Sequence, residues 1–185
     1  MSQSLLLDIA RESITEVLEA QNTIDKQQLI KDYPVLAEPL ATFVTLYYHN
    51  ELRGSSGSVF AENSLLEEII FHAKTAAFLD ERFEPLRTSE YLQTVIELSL
   101  LTPLTELTYE TLDDIKKVVT PREDGLVIIA GEKQGAFLPQ VWTQLSNFDE
   151  FFSRLLQESG LSNLNEHPQV FTFQVEKQSD EPILK

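Results

Sequence analysis

The sequence predicts an α+β fold with largely antiparallel strand pairing. Three observations carry that expectation. Several segments repeat apolar residues at helical spacing, and several others are rich in β-branched and aromatic residues. The two kinds are interspersed, without a strict βαβα alternation. Two strand–turn–strand signals, at Asn50-Glu51 and at Gly131–Gly135, supply local antiparallel pairs.

The elements follow in order. From Leu5 to Ala20, a stripe of Leu6, Ile9, Ala10, Ile14, Val17 and Leu18 predicts an amphipathic helix. A short helix from Asp25 to Ile30 starts on a capping aspartate. It ends by Tyr33-Pro34, because proline disfavours a helical residue before it. Ala41–His49 reads as a strand through Phe43, Val44, Thr45, Tyr47 and Tyr48. With Asn50-Glu51 as a two-residue turn, Tyr48 stands opposite Arg53 and Leu46 opposite Ser55. Alternation then puts Arg53, Ser55, Tyr48 and Leu46 on one face.

Ser64 and Glu67 have capping-box spacing and open the clearest helix. Its stripe is Leu66, Ile69, Ile70, Ala73, Ala76 and Ala77, and the alanines suit close packing. Asp80–Pro85 is its exit loop. Thr94–Leu101 alternates as a strand and stops at Thr102-Pro103; Glu110–Val119 is a short helix. Leu126–Ala130 and Ala136–Leu138 form the second hairpin. Pro139 suits the first turn of a helix, where its missing donor costs nothing. Asp149–Ser159 buries Phe151, Phe152, Leu155 and Leu156, with Gly160 as C-cap. Val170–Val175 is the last strand, and the chain from Lys177 reads as a loose tail.

Composition narrows the function classes. The 185 residues hold 14 basic and 30 acidic side chains, a formal net charge of −16. Nucleic acids and anionic membranes are bound through Lys and Arg, so neither partner is expected. The chain has no cysteine, which excludes disulfides, thiolate nucleophiles and Cys-based metal sites within it. His49, His72 and His167 show no metal-ligand spacing, so no metal and no other cofactor is expected. Leu5-Leu6-Leu7 is followed at once by Asp8, Arg11 and Glu12, too short and charged for a signal-peptide core. A cytoplasmic location is the resulting expectation.

The stretch Leu52-Arg53-Gly54-Ser55-Ser56-Gly57-Ser58 is the leading candidate site. It reads as a small polar loop with one fixed positive charge. Its glycines permit left-handed or mirror-β angles. Arg53 and the neighbouring N–H groups suit an anion, although the Lys-Ser/Thr ending of a P-loop is missing; the competing reading pairs Arg53 with a carboxylate. Ser55 and Ser56 lack a Gly-x-Ser-x-Gly frame and an evident base, so no catalytic residue is assigned. Phe137 and Leu138 read as core, whereas Gln140 and Trp142 suit the lining of a cleft. Arg82-Phe83 reads as packing.

Several motifs in order resemble one known family. They are Leu52-Arg53-Gly54-x-x-Gly57, then Ala76-Ala77-Phe78-x-Asp80-x-Arg82-Phe83-x-Pro85-Leu86. Ile96–Pro103, Asp124–Ile128 and Gly135-x-Phe137-Leu138-Pro139-Gln140-Val141 follow. This order is similar to the AMMECR-type domain, protein A of the AmmeMemoRadiSam system, from about Leu5 to Lys177. The resemblance implies one α+β domain over residues 1–185, with two interlocked lobes, no clean linker and a cleft faced by the Arg-Gly loop. Residues 178–185 are expected as tail. It also implies a Memo-like protein and a radical-SAM protein as partners. The family pattern is Leu-Arg-Gly-Cys-Ile-Gly, whereas this chain has Ser55 for the cysteine and Ser56 for the isoleucine. A serine hydroxyl is far less ionised than a thiol and needs a dedicated base.

The expected function is therefore an accessory binding protein. Arg53, Gly54, Ser55, Ser56, Gly57 and Gln140 would receive a small polar or anionic ligand or a protein segment. The alternative is an enzyme with Ser55 or a cleft carboxylate in its active site. No feature of the sequence indicates an oligomeric state.

Overall fold

The computed structural model describes residues 3–145 and 147–182. Two units share the chain: Met1–Leu100 with Glu176–Lys185, and Leu101–Val175. In sequence the second interrupts the first.

In the first unit, helix α1 (Gln3–Leu18) buries Leu6, Ile9, Ala10 and Ile14 as its apolar stripe requires. Helix α2 (Lys26–Asp32) is capped by Asp25, whose carboxylate accepts from the Gln28 N–H at 2.9 Å. Strand β1 (Thr42–Tyr48) lies between two antiparallel neighbours, β2 (Glu51–Gly57) and β3 (Thr94–Leu101). Helix α3 (Leu65–Phe78) starts at Ser64, whose hydroxyl accepts from the Glu67 N–H. Leu66, Ile69, Ala73 and Ala76 of α3 join Val44, Leu46, Ile96 and Leu98 of the strands and the α1 stripe in one core. Each fully buried aliphatic side chain contributes about 1.5–3 kcal/mol. The one-turn helix α4 (Thr88–Tyr91) follows the exit loop of α3.

The first hairpin corrects the predicted register. Its turn is His49-Asn50, with φ of 52° and 65°, so Tyr48 pairs with Glu51. A tight hairpin needs positive φ at both central residues, which His and Asn accept more readily than Glu does. Further along, Leu46 pairs with Gly54 and Tyr47 with Leu52, leaving Arg53 as the extra residue of a bulge. The shared face expected for Arg53, Ser55, Tyr48 and Leu46 therefore does not form. Ser56 stands opposite Val44, which is fully buried under α3, while Ser55 stands opposite Thr45 on the other face.

The Gly-Ser stretch is likewise a strand and not a loop. Gly54 and Gly57 have no positive φ; among the described glycines only Gly131 and Gly160 do. What position 54 requires is space. A Cβ there would lie 2.1 Å from the carbonyl oxygen of Ala76 on α3.

The last strand is also longer than expected. It runs over Gln169–Ser179 (β7), and its residues from Glu176 belong to the first unit. Lys177 pairs with Glu97 at 2.8 Å. The Asp180 carboxylate accepts from the Ile96 N–H at 2.7 Å and from Arg11. The tail expected from residue 178 is thus held through Asp180 by partners its local sequence does not reveal. Residues 183–185 lie outside the described part.

The second unit contains β4 (Thr105–Glu106), α5 (Leu112–Val118), β5 (Asp124–Ala130), β6 (Lys133–Phe137), α6 (Phe148–Glu158) and the first part of β7. Strand β5 is antiparallel to both β6 and β7, and the β5–β6 turn uses Gly131 at φ 62°. The segment after Pro139 is a 3-10 turn, Pro139–Thr143, shorter than the helix expected there. Its Trp142 is the centre of the core. The indole lies flat on Phe151, ring centroids 3.7 Å apart, and donates from Nε1 to the Asp124 carbonyl at 2.8 Å. That bond satisfies the one polar atom of an otherwise apolar side chain. Helix α6 starts afresh from Asn147, whose side chain accepts from the Asp149 N–H.

The close approach at Gly54 gives the first prediction. Gly54→Ala should lower unfolding stability by about 3 kcal/mol or more, because the obstacle is α3 backbone and not a mobile side chain. Urea denaturation measures it. A loss under ~1 kcal/mol would show that the helix can move away.

Candidate functional site

Strand β2 carries two polar assemblies, both within the first unit. The first surrounds Ser55. Its N–H donates to Asp80 Oδ2 at 2.8 Å, and its hydroxyl accepts from Arg82 Nη2 at 2.6 Å. The same guanidinium donates to Asp80 from Nε at 2.8 Å and from Nη2 at 2.6 Å. The Asp80 side chain is only 7% exposed, whereas that of Arg82 is 55% exposed. Hydrogen bonding to Arg82, followed by the Ser55 N–H, holds the Asp80 carboxyl far below the usual carboxylate range. Asp80 is therefore a fixed anion that anchors Arg82 and caps an N–H of β2.

Arg53 is held beside this group. It donates to both carboxylate oxygens of Glu90, at 3.0 and 3.1 Å, and to the Glu84 carbonyl at 2.8 Å. This fork-on-carboxylate geometry favours arginine over lysine. Phe83 stands near both guanidinium groups, 5.8 Å from that of Arg53 and 5.5 Å from that of Arg82. Arg53 thus takes the carboxylate pairing, the competing reading of its sequence context. Its side chain is only 12% exposed, so Arg82 is the more accessible cation.

The second assembly involves Ser56, whose hydroxyl lies 2.9 Å from His72 Nδ1 on α3. His72 Nε2 lies 3.1 Å from Glu68 Oε2, one helical turn earlier. Burial, the leading influence, lowers the pKa of His72, which Glu68 partly offsets. Gly54 and Gly57 lie on the same strand and make close packing possible, against α3 and the Phe43 ring respectively.

Gln140 belongs to the second unit. It is exposed at the 3-10 turn, and its carbonyl accepts from Thr143 Oγ1 at 2.8 Å. Of its neighbours, Phe137 packs on the core as expected, edge-on to Phe151, whereas Trp142 departs from the cleft role. Trp142 is fully buried, while Phe137 and Val141 line an open cavity of about 530 Å³ with Leu145, Arg154 and Gln157. Trp142 points inward from the 3-10 turn, held by the stacked Phe151 ring and the Asp124 carbonyl.

Asp80, Arg82, Glu90, His72 and Glu68 were not assigned to the site by sequence. The Asp80-x-Arg82 spacing was the visible signal for the first pair. Glu90 lies 37 residues from Arg53 and had none. Among the described residues, no three His, Asp or Glu side chains converge in a metal-binding arrangement. No described helix is long and apolar enough to cross a membrane.

Comparison with known proteins places these features in a family. The AMMECR1 family model matches residues 7–178. A Saccharolobus solfataricus protein is 38% identical over 143 residues, covering 74% of this chain and 61% of its own length. The chain thus matches about three fifths of the length of that relative and of its Saccharolobus islandicus counterparts. A Thermococcus onnurineus protein is 33% identical over 184 residues, covering 92% of this chain and 86% of its own. The crystal structure of an uncharacterized Pyrococcus horikoshii protein superposes with a TM-score of 0.81 at 29% identity. That match covers 98% of this chain and 93% of the other.

The Arg53–Glu90 pair predicts an acid dependence. Arg53, followed by the Arg87 N–H, keeps the Glu90 pKa below its usual value near 4.5. A lowered folded-state pKa contributes stability above the ordinary range, lost as pH falls through the folded value. Wild type should exceed Glu90→Gln by ~1 kcal/mol at pH 7. Urea titrations should show that gap closing below pH ~4.5. A gap independent of pH would remove the ion pair as its cause.

Proposed function

The chain belongs to the AMMECR1 family, and from that premise we propose that it is an accessory binding protein whose recognition surface centres on Ser55 and Arg82. One observation carries this reading: the only side chain bonded to the Ser55 hydroxyl among the described residues is a guanidinium. Arginine donates hydrogen bonds and accepts none, so it cannot take a proton from serine. Asp80, the nearby carboxylate, has its basicity drained by Arg82 and the Ser55 N–H. The geometry thus disfavours Ser55 as a nucleophile and Asp80 as a base.

It suits recognition of an oxygen acceptor instead. Ser55 accepts from Arg82 and keeps its own proton to donate. Arg82 commits Nε and Nη2 to Asp80 and Ser55, while its side chain remains largely exposed. A carboxylate, phosphate or peptide carbonyl on a partner would meet both donors. Arg53 and Glu90 keep the strand and the exit loop in place behind them. The partners we propose are the Memo-like and radical-SAM proteins that the family association implies.

Calorimetric titration of the full chain against each of those two proteins from the same organism tests the reading. At least one should bind. Arg82→Ala should weaken binding tenfold or more, and it should also lower the urea midpoint, because the Asp80 carboxylate loses its guanidinium. Loss of neither affinity nor stability in the variant would reject this surface. Absence of binding to both proteins would reject the partner assignment.

A further inference from the structure

Ser56, His72 and Glu68 form a directed proton path. Glu68 is 3% exposed and His72 is 5% exposed. Glu68 Oε1 accepts from the Asn63 N–H at 2.9 Å and from Asn63 Nδ2 at 3.2 Å. Its Oε2 faces His72 Nε2. A carboxylate only accepts, so Nε2 carries the imidazole proton and Nδ1 offers its lone pair. That lone pair is 2.9 Å from the Ser56 oxygen, so the hydroxyl is the donor in this bond. The serine proton therefore points at a base that the carboxylate orients from behind.

Structural filling is a weak explanation for this arrangement. A buried ion-bearing network is often no more stable than apolar residues of the same volume. Burial also keeps the imidazole neutral near pH 7, the state in which it accepts a proton. Ser56 itself is half-buried and lies on an edge strand. The exposed ring of Phe71 stands edge-on to His72 with centroids 5.1 Å apart, an apolar contact for a small acyl or aryl group. The Ser58 N–H bonds back to Thr42 in β1, while the Ser55 N–H turns outward to Asp80. Strand alternation directs the Gly57 N–H outward as well, where a donor next to the nucleophile can serve a developing oxyanion.

We propose that Ser56 is the nucleophile of an esterase-type acyl-transfer site, with His72 as general base and Glu68 as the residue that positions it. The Ser56 oxygen bonds to the carbonyl carbon of a small uncharged ester as its proton passes to His72 Nδ1. Collapse of the tetrahedral adduct breaks the bond to the leaving oxygen, which takes that proton. Water then attacks the acyl-serine and gives a proton to His72. The acid leaves, and the proton returns to Ser56. An uncharged substrate suits a site whose positioning residue, Glu68, is itself a carboxylate facing His72. This site uses different atoms from the Ser55–Arg82 surface, and its failure leaves that binding reading untouched.

Two probes of the intact chain test it: diisopropyl fluorophosphate and p-nitrophenyl acetate. Peptide mass mapping should place the phosphoryl label on Ser56, and p-nitrophenyl acetate turnover should fall at least tenfold in Ser56→Ala. Glu68→Gln should lower kcat with little change in KM, as expected when a base is misaligned and substrate contacts are kept. His72→Gln should lose labelling; if it does not fold, Ser56→Ala, which removes one hydroxyl, decides. An unlabelled Ser56 in folded wild type, or wild-type turnover in Ser56→Ala, would overturn the proposal.

Discussion

The backbone of α3 rests directly on the edge strand at Gly54, and the polar chemistry of the first unit depends on that contact. With only 2.1 Å between the Ala76 carbonyl oxygen and the place a Cβ would occupy, no other residue fits without moving the helix. The contact sets the height of α3 above β2. At that height His72 reaches the Ser56 hydroxyl, and the exit loop after Phe78 brings Asp80 to the Ser55 N–H. A small residue in a strand is usually a weakness, since it adds no side chain to the pleat. Here it exchanges side-chain packing for helix–strand proximity.

Consecutive serines consequently meet opposite kinds of neighbour. Ser55 meets a guanidinium, which donates and never accepts, beside a carboxylate stripped of basicity. Ser56 meets Nδ1 of His72, an imidazole whose pKa burial lowers. Period-two alternation of a strand separates the two hydroxyls by face, so each acquires a different neighbourhood from one dipeptide. Electrostatics reinforce the division. Arg53 and Arg82 are balanced by Glu90 and Asp80, which keeps cations fixed within a strongly acidic chain.

Much of the framework was legible in the sequence because its causes are local. The stripe of α1, the Asp25 and Ser64 caps and the alanine face of α3 follow from spacing and capping chemistry within a few residues. The β5–β6 hairpin declared itself through Gly131. The first hairpin did not, since Asn50 can serve as either central residue of a two-residue turn. Choosing Asn50-Glu51 over His49-Asn50 displaced the partners by two residues, so Tyr48 pairs with Glu51 where Arg53 was expected. The Arg53 bulge then restored one of those two residues, so Leu46 pairs with Gly54 where Ser55 was expected. The candidate residues could be named from sequence, but their neighbours could not. Glu90, Glu68 and His72 approach β2 only through chain folding, at separations no local pattern encodes.

The sequence by itself determined the α+β class, most of the helices and strands, the lack of any thiol and the Gly-Ser stretch proposed as the site. The AMMECR-type resemblance was visible there as motifs in order, and the family match spans residues 7–178. Tertiary structure alone decided which serine meets a base and which meets an arginine. It also decided that Arg53 is neutralised by Glu90 and that Trp142 turns inward to fill the core of its unit. The physical reason is range. Periodicity and capping act over one or two turns of chain, whereas a proton path or an ion pair depends on ångström-scale approach between segments tens of residues apart.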